Sequence, residues 1–151
     1  MFQSLWKFHD EVVRDISAMG GVFVTTLVPL LVLLLGKVAL FYQLVVGLFL
    51  VYIVNISIRQ FYFKERPKKE AYVGWLQRIY ASTFPSMHAM RVWFLVTVFG
   101  LYFADTVLVG IFLVVGGAVS YSRVVLEKHY YVDVIAGAML GIGIGVVVVL
   151  F

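Results

Sequence analysis

Long apolar runs joined by very short polar links constrain the fold of this chain more than any other feature. Five runs approach the ~20 residues that a membrane-spanning helix needs: 21–36, 38–58, 86–103, 106–121 and 131–151. Hydrophobic residues make up 63% of the chain and charged residues only 13%, so too few polar side chains remain to cover a water-exposed surface. We therefore predict an all-α, polytopic membrane helical bundle with about five spanning helices.

Two further segments are amphipathic rather than uniformly apolar. In residues 1–20, apolar side chains recur at helical spacing and charged ones occupy the other side. A shorter apolar stripe in residues 71–80 includes Tyr72 and Trp75, and both residue types favour the membrane–water interface. We predict an interfacial helix at each place, and a single integral-membrane domain over residues 1–151 whose catalytic helical core is 21–151.

Alternating helix directions bring most of the ionisable residues to one side of the membrane. The second apolar run ends at Arg59, the third begins near His88, the fourth ends near Arg123 and the fifth begins near Asp133. Because consecutive spans are antiparallel, these four ends share one face. The opposite face receives two tight turns and the end of the fifth run. The topology therefore predicts a basic, histidine-containing face.

The residue types on this face favour phosphate chemistry. Neighbouring arginines repel one another unless an anion lies among them, and a guanidinium makes forked contacts with phosphate oxygens. Ser86 lies where a helix begins, and a helix N-terminus favours an anion. Asp133 follows His129 by one helical turn, where a carboxylate holds an imidazole in one tautomer and activates it as a nucleophile or base. With His88 as proton donor, the pattern predicts phosphoryl transfer through a phosphohistidine.

Three motifs in this region resemble those of a known family. The sequence SRVVLEKHYYVD at 122–133 matches Ser-Arg, five residues, His, three residues, Asp; PSMH at 85–88 resembles Pro-Ser-Gly-His; RQFYFKERP at 59–67 resembles Lys, six residues, Arg-Pro. In this order they resemble the type 2 phosphatidic acid phosphatase family, the membrane lipid phosphatases that share a site with vanadium haloperoxidases. The motifs cover about half of the chain.

The resemblance implies a role for each matching residue. His129 would attack phosphorus, Asp133 would orient it, and His88 would protonate the leaving oxygen and then activate water. Phosphate binding would fall to five positions, namely Arg59, Arg66, Ser86, Met87 and Arg123. The resemblance implies neither a metal nor another cofactor, and the only partners expected are a lipid phosphate substrate and the bilayer, with no nucleic acid.

Two motif positions differ from the family pattern. Arg59 stands where Lys is usual, which keeps the charge but changes the donor geometry. Met87 stands where Gly is usual, and a side chain there needs a permissive backbone angle. Outside the motifs, two interpretations of Arg91 stay open, contact with the substrate or snorkelling to the interface. Lys64 would either meet anionic headgroups or the substrate, or only mark the topology.

The predicted function is hydrolysis of a lipid phosphate or diphosphate by a metal-independent phosphatase. A polyprenyl diphosphate is favoured as substrate, followed by phosphatidylglycerophosphate and phosphatidic acid. The alternatives are a lipid phosphotransferase that uses another lipid as acceptor, and an inactive membrane scaffold or lipid-binding protein. We expect a multi-pass protein of the cell membrane. The excess of basic residues on the active face favours the cytoplasmic side, whereas most family relatives act on the outer or lumenal face. The orientation and the oligomeric state therefore stay open.

Overall fold

The computed structural model describes residues 2–69 and 71–151, with side chains from residue 7 onward. These residues form seven α-helices and the described part of the chain contains no β-strand, which confirms the all-α prediction. The helices are α1 (Phe2–Ala18), α2 (Val22–Leu34), α3 (Val38–Phe61), α4 (Gly74–Ala81), α5 (Met87–Phe103), α6 (Thr106–Val125) and α7 (Tyr131–Leu150).

Several of these helices have the length and composition of membrane spans. By these two criteria, α3, α6 and α7 are each sufficient to cross a membrane, and residues 7–18 with α2 qualify together as a pair bent by 45°. Helix α5 is apolar but has only 17 residues, about 25 Å at ~1.5 Å per residue. A helical membrane bundle is confirmed, while the count of five spanning helices stays a prediction.

The N-terminal helix presents different residues to the bundle and to its surroundings. Val13 and Ser17 are buried where α1 packs against α6. Phe8 and Val12 lie on the same helix and are exposed, as is Met19 directly after it. An outward apolar surface beside charged residues suits the headgroup boundary of a bilayer, so the predicted interfacial position of α1 remains physically reasonable.

Helix α5 is the centre of the bundle, since it packs against α7 most extensively and also contacts α3 and α6. Three glycines of α7 face it at intervals of four residues: Gly137, Gly141 and Gly145. A Cβ at Gly141 would overlap the carbonyl oxygen of Met90. The close helix approach that this spacing predicts is therefore confirmed for α7 and α5.

The polar helix ends meet on one side of the bundle, as the topology predicts. At the end of α3, Arg59 donates to the carbonyl oxygen of Pro85 at 2.8 Å, just before α5 begins. The backbone N–H of Ser86 donates to the carbonyl oxygen of Asp133 at 2.9 Å, which joins the start of α5 to the start of α7. These hydrogen bonds hold the end of α3 and the starts of α5 and α7 together, and the candidate site lies there.

The α5–α7 contact predicts different effects for two glycines of one helix. We expect Gly141→Ala to lower the unfolding temperature of detergent-solubilised protein, because overpacking a close contact typically costs about 1–3 kcal/mol. Gly143 is the matched control, since a Cβ there meets nothing within 4 Å, and alanine is the better helix former by ~1 kcal/mol. Equal melting temperatures for the two variants would contradict this close contact.

Candidate active site

A cavity of about 360 Å³ opens among the converging helix ends. Its lining includes two histidines and four arginines, namely His88, His129, Arg59, Arg66, Arg91 and Arg123. None of the described residues that line it is acidic. The described residues contain no group of three His, Cys, Asp or Glu side chains that could hold a metal ion. The four arginines give the cavity a positive charge.

His129 lies in the segment between α6 and α7 and is held through its Nδ1 atom. This nitrogen is 2.8 Å from the carbonyl oxygen of Thr83 and 3.0 Å from the Thr83 hydroxyl oxygen. A carbonyl oxygen can only accept a hydrogen bond, so Nδ1 carries the proton. The other ring nitrogen, Nε2, then keeps its lone pair, which is the arrangement a nucleophilic imidazole requires.

The surroundings of His129 keep its imidazole neutral. Burial is the main cause that lowers its pKa, and the nearby guanidinium groups of Arg123, Arg59 and Arg66 lower it further, to about 2. Each of these causes disfavours the imidazolium form. At neutral pH the ring is therefore uncharged before a phosphate arrives.

Asp133 is linked to His129 through Thr83 instead of by direct contact. The Thr83 hydroxyl donates to Oδ2 of Asp133 at 2.7 Å and accepts from the Nδ1–H of His129. No hydrogen bond joins the Asp133 and His129 side chains directly, both of which the structure describes. The predicted orienting carboxylate is thus present, one hydroxyl further from the imidazole than the motif suggests.

The Asp133 carboxylate is completely buried and fully engaged. Besides Thr83, it accepts from the backbone N–H of Tyr130 at 2.8 Å and from the ammonium of Lys64 at 2.6 Å. The Lys64 ammonium also lies 4.6 Å from the centre of the Tyr130 ring. Burying a carboxylate is costly unless it is paired and hydrogen-bonded, and these contacts provide both.

Thr83 and Lys64 are the functional candidates that sequence reasoning missed. None of the roles expected for Lys64, contact with headgroups or substrate or marking of the topology, includes its ion pair with Asp133. Lys64 lies between the two matched arginines of the first motif, and Thr83 lies two residues before the second motif. Nothing in the spacing of either residue marks it as a partner of a carboxylate about 50 or 69 positions away.

The three predicted phosphate arginines come from three different segments. Arg59 belongs to the last turn of α3, Arg66 to the following loop, and Arg123 to the last turn of α6. Arg66 donates to the carbonyl oxygen of Tyr80 at 2.7 Å, and Arg123 donates to the Ser17 hydroxyl of α1 at 2.5 Å. All three line the cavity, so the structure brings them together as predicted.

The second motif forms the start of α5. Ser86 is the residue before the helix and is fully buried, and its hydroxyl has no hydrogen-bond partner among the described residues. Met87 begins the helix with an ordinary right-handed backbone, because it is absent from the described non-glycine residues with positive φ. The replacement of the usual glycine therefore introduces no backbone strain. Met87 and half-buried His88 both line the cavity.

Comparison with known proteins supports the same identification. The sequence matches the model of the PAP2 superfamily over residues 40–151. The fold is similar to the crystal structure of Aquifex aeolicus LpxE, with a TM-score of 0.80 and 20% sequence identity; the match covers 95% of this chain and 87% of LpxE. No curated protein matches the sequence significantly.

The family match includes all three motifs and every residue that the sequence assigns to the site. The match spans well over half of the chain, and the helices of the chain have the apolar character of a membrane bundle. This chain therefore belongs to the PAP2 superfamily and is a membrane lipid phosphatase.

Proposed function

We propose that this enzyme hydrolyses a lipid phosphate or diphosphate monoester through a phosphohistidine at His129, with a polyprenyl diphosphate as the favoured substrate. The observation that carries the proposal is the geometry of His129. Its Nδ1–H is fixed by Thr83, and the ring lines a cavity that contains four arginines. Residues 21–151 form the catalytic core, and the protein is a multi-pass component of the cell membrane.

In the first step, Nε2 of His129 attacks phosphorus and the bond from phosphorus to the leaving oxygen breaks. His88 gives its proton to that oxygen. Positive charge that develops on the His129 ring is stabilised through Nδ1–H, the Thr83 hydroxyl and the Asp133 carboxylate. Arg59, Arg66 and Arg123 bind the phosphoryl oxygens, whose negative charge they stabilise in a site largely removed from water.

In the second step, water releases the phosphate from His129. His88, now deprotonated, takes a proton from water as the water oxygen attacks phosphorus, and the phosphorus–nitrogen bond breaks. Inorganic phosphate leaves and the neutral imidazole is restored. The lowered pKa of His129, caused first by burial and then by the three arginines, favours this return to the uncharged ring.

The cavity also suits an apolar chain next to the phosphate. Val22, Ile56 and Ile79 line it beside the arginines. Val22 begins α2 and Ile56 belongs to α3, both of which are apolar helices of the bundle. A lipid could place its headgroup among the cations while its tail passes between helices into the bilayer.

The first test separates formation of the phosphohistidine from its hydrolysis. We expect His129→Ala to lower phosphate release from farnesyl diphosphate or phosphatidic acid by ~10³-fold or more. His88→Ala should retain some attack on phosphorus but hydrolyse the intermediate slowly. The His88→Ala variant should therefore accumulate covalently bound phosphate that is labile in acid and stable in alkali.

His9→Ala is the matched control, because His9 is exposed on α1 and does not line the cavity. It should release phosphate at the wild-type rate. Near-normal turnover by His129→Ala, or bound phosphate at any residue other than His129, would contradict the mechanism.

The Thr83 relay is tested by removing only its hydroxyl. We expect Thr83→Val to lower kcat by about 10–100-fold, since leaving buried polar partners unsatisfied costs ~1–3 kcal/mol. KM should change little, because Thr83 does not line the cavity. Thr83→Ser keeps the hydroxyl and should stay within about threefold of wild type. If the valine and serine variants have equal kcat values, the hydroxyl has no role in orienting His129.

Metal removal tests whether the arginines alone provide the positive charge. We expect EDTA-treated, detergent-solubilised enzyme to release phosphate from phosphatidic acid at an unchanged rate, because four arginines already line the cavity. Substrate and detergent are kept constant with and without EDTA. A strong loss that Mg²⁺ or Mn²⁺ restores would contradict a mechanism that uses only the histidines and arginines.

A further inference from the structure

Arg91 is a cavity residue that the three motifs and the proposed mechanism leave unused. It lies on α5 three residues after His88, on the same face of the helix and about one turn further into the bundle. Its side chain is only 4% exposed, so it does not snorkel to the interface. Of the two interpretations that the sequence left open, burial in the cavity favours contact with the substrate.

In the described structure, the Arg91 guanidinium contacts a neutral hydroxyl and no anionic group. Its guanidinium donates to the hydroxyl of Tyr52 on α3 at 3.0 Å and lies 5.8 Å from the centre of that ring. Its Nε is buried without a hydrogen-bond partner among the described residues. A buried cation is costly unless an opposite charge is close, so this site lacks an anion.

The scissile phosphate does not account for this anion. Arg59, Arg66 and Arg123 line the same cavity as His129. Arg59 and Arg123 lie in the last turns of α3 and α6, and Arg66 lies in the loop after α3. Arg91 lies about one turn along α5 from His88, the proposed proton donor to the leaving oxygen. A group there meets the part of the substrate that follows the transferred phosphoryl group.

We propose that Arg91 and Tyr52 bind a second phosphate of the substrate, the one that stays on the lipid when the terminal phosphate is transferred. The proposal rests on the phosphatase mechanism above and deepens it, because it makes the substrate class a lipid diphosphate. His129 forms a bond to the terminal phosphorus and the phosphoanhydride P–O bond breaks. The bridging oxygen takes the proton of His88 and remains on the lipid monophosphate, whose charge Arg91 offsets.

The test compares two substrates with the same tail, farnesyl diphosphate and farnesyl monophosphate, in one detergent. We expect Arg91→Met to lower kcat/KM for the diphosphate by about 10–100-fold, the usual effect of losing a charged hydrogen bond. For the monophosphate the loss should stay within about threefold. Arg91→Lys should recover part of the diphosphate activity. Arg78→Met is the control, because Arg78 is exposed on α4 outside the cavity.

A second variant makes the result independent of whether Arg91→Met folds. Tyr52→Phe keeps the ring and the arginine but removes the hydroxyl that holds it, so it should lower the diphosphate-to-monophosphate ratio of kcat/KM by several-fold. Equal losses on both substrates in Arg91→Met and Tyr52→Phe, or no loss on either, would overturn the proposal and make the pair a structural link between α3 and α5.

The wild-type enzyme separates failure of this inference from failure of the mechanism. If it releases phosphate from neither farnesyl substrate nor from phosphatidic acid, the phosphatase mechanism itself fails. Phosphatidylglycerophosphate and phosphatidic acid form a further pair, in which the second phosphate lies across a glycerol. If the Arg91 and Tyr52 variants change the ratio of kcat/KM values only for that pair and not for the farnesyl pair, the phosphoanhydride assignment is overturned.

Discussion

The buried carboxylate of Asp133 is the interaction on which the site depends. Its oxygens receive the Lys64 ammonium, the Thr83 hydroxyl and the Tyr130 backbone N–H. These partners come from the loop after α3, the loop before α5 and the start of α7. A fully buried charge tolerates no loss of such partners, so the carboxylate fixes the loops relative to one another. The orientation of His129 follows, because the hydroxyl that Asp133 holds also contacts Nδ1.

The buried arginines differ from Asp133 in the charge of their hydrogen-bond partners. Arg59, Arg91 and Arg123 are each less than a tenth exposed, and the bonds described for Arg59 and Arg91 go to carbonyl or hydroxyl oxygens rather than to carboxylates. The charge of Arg59 and Arg91 is therefore available to an anionic substrate. The charges of Arg123 and Arg59 also help to lower the pKa of His129. Asp133, the only buried carboxylate among the residues described, contacts the Thr83 hydroxyl that also contacts His129. It pairs with Lys64 and does not line the cavity.

The sequence was sufficient for features that depend on periodicity and on local motifs. Apolar run lengths located α3, α5, α6 and α7, and the alternation of directions brought Arg59, His88 and Arg123 to one face. Contacts between distant segments could not be predicted in the same way. Thr83 reaches Asp133, and Arg91 reaches Tyr52, through tertiary packing that leaves no repeat or spacing in the chain.

Helix packing and catalysis meet where α5 begins. Gly137 and Gly141 remove the side chains that would separate α7 from the backbone of Ser86 and Met90. The resulting approach lets the Ser86 N–H bond the Asp133 carbonyl oxygen at 2.9 Å. Asp133 thus contacts Thr83 through its side chain, and through its backbone carbonyl it contacts the start of the helix that carries His88. A change in the α5–α7 distance would move His88 relative to the linked side chains of Asp133, Thr83 and His129. In the proposed mechanism, the small residues of an apolar helix thus contribute to the geometry of the phosphoryl transfer.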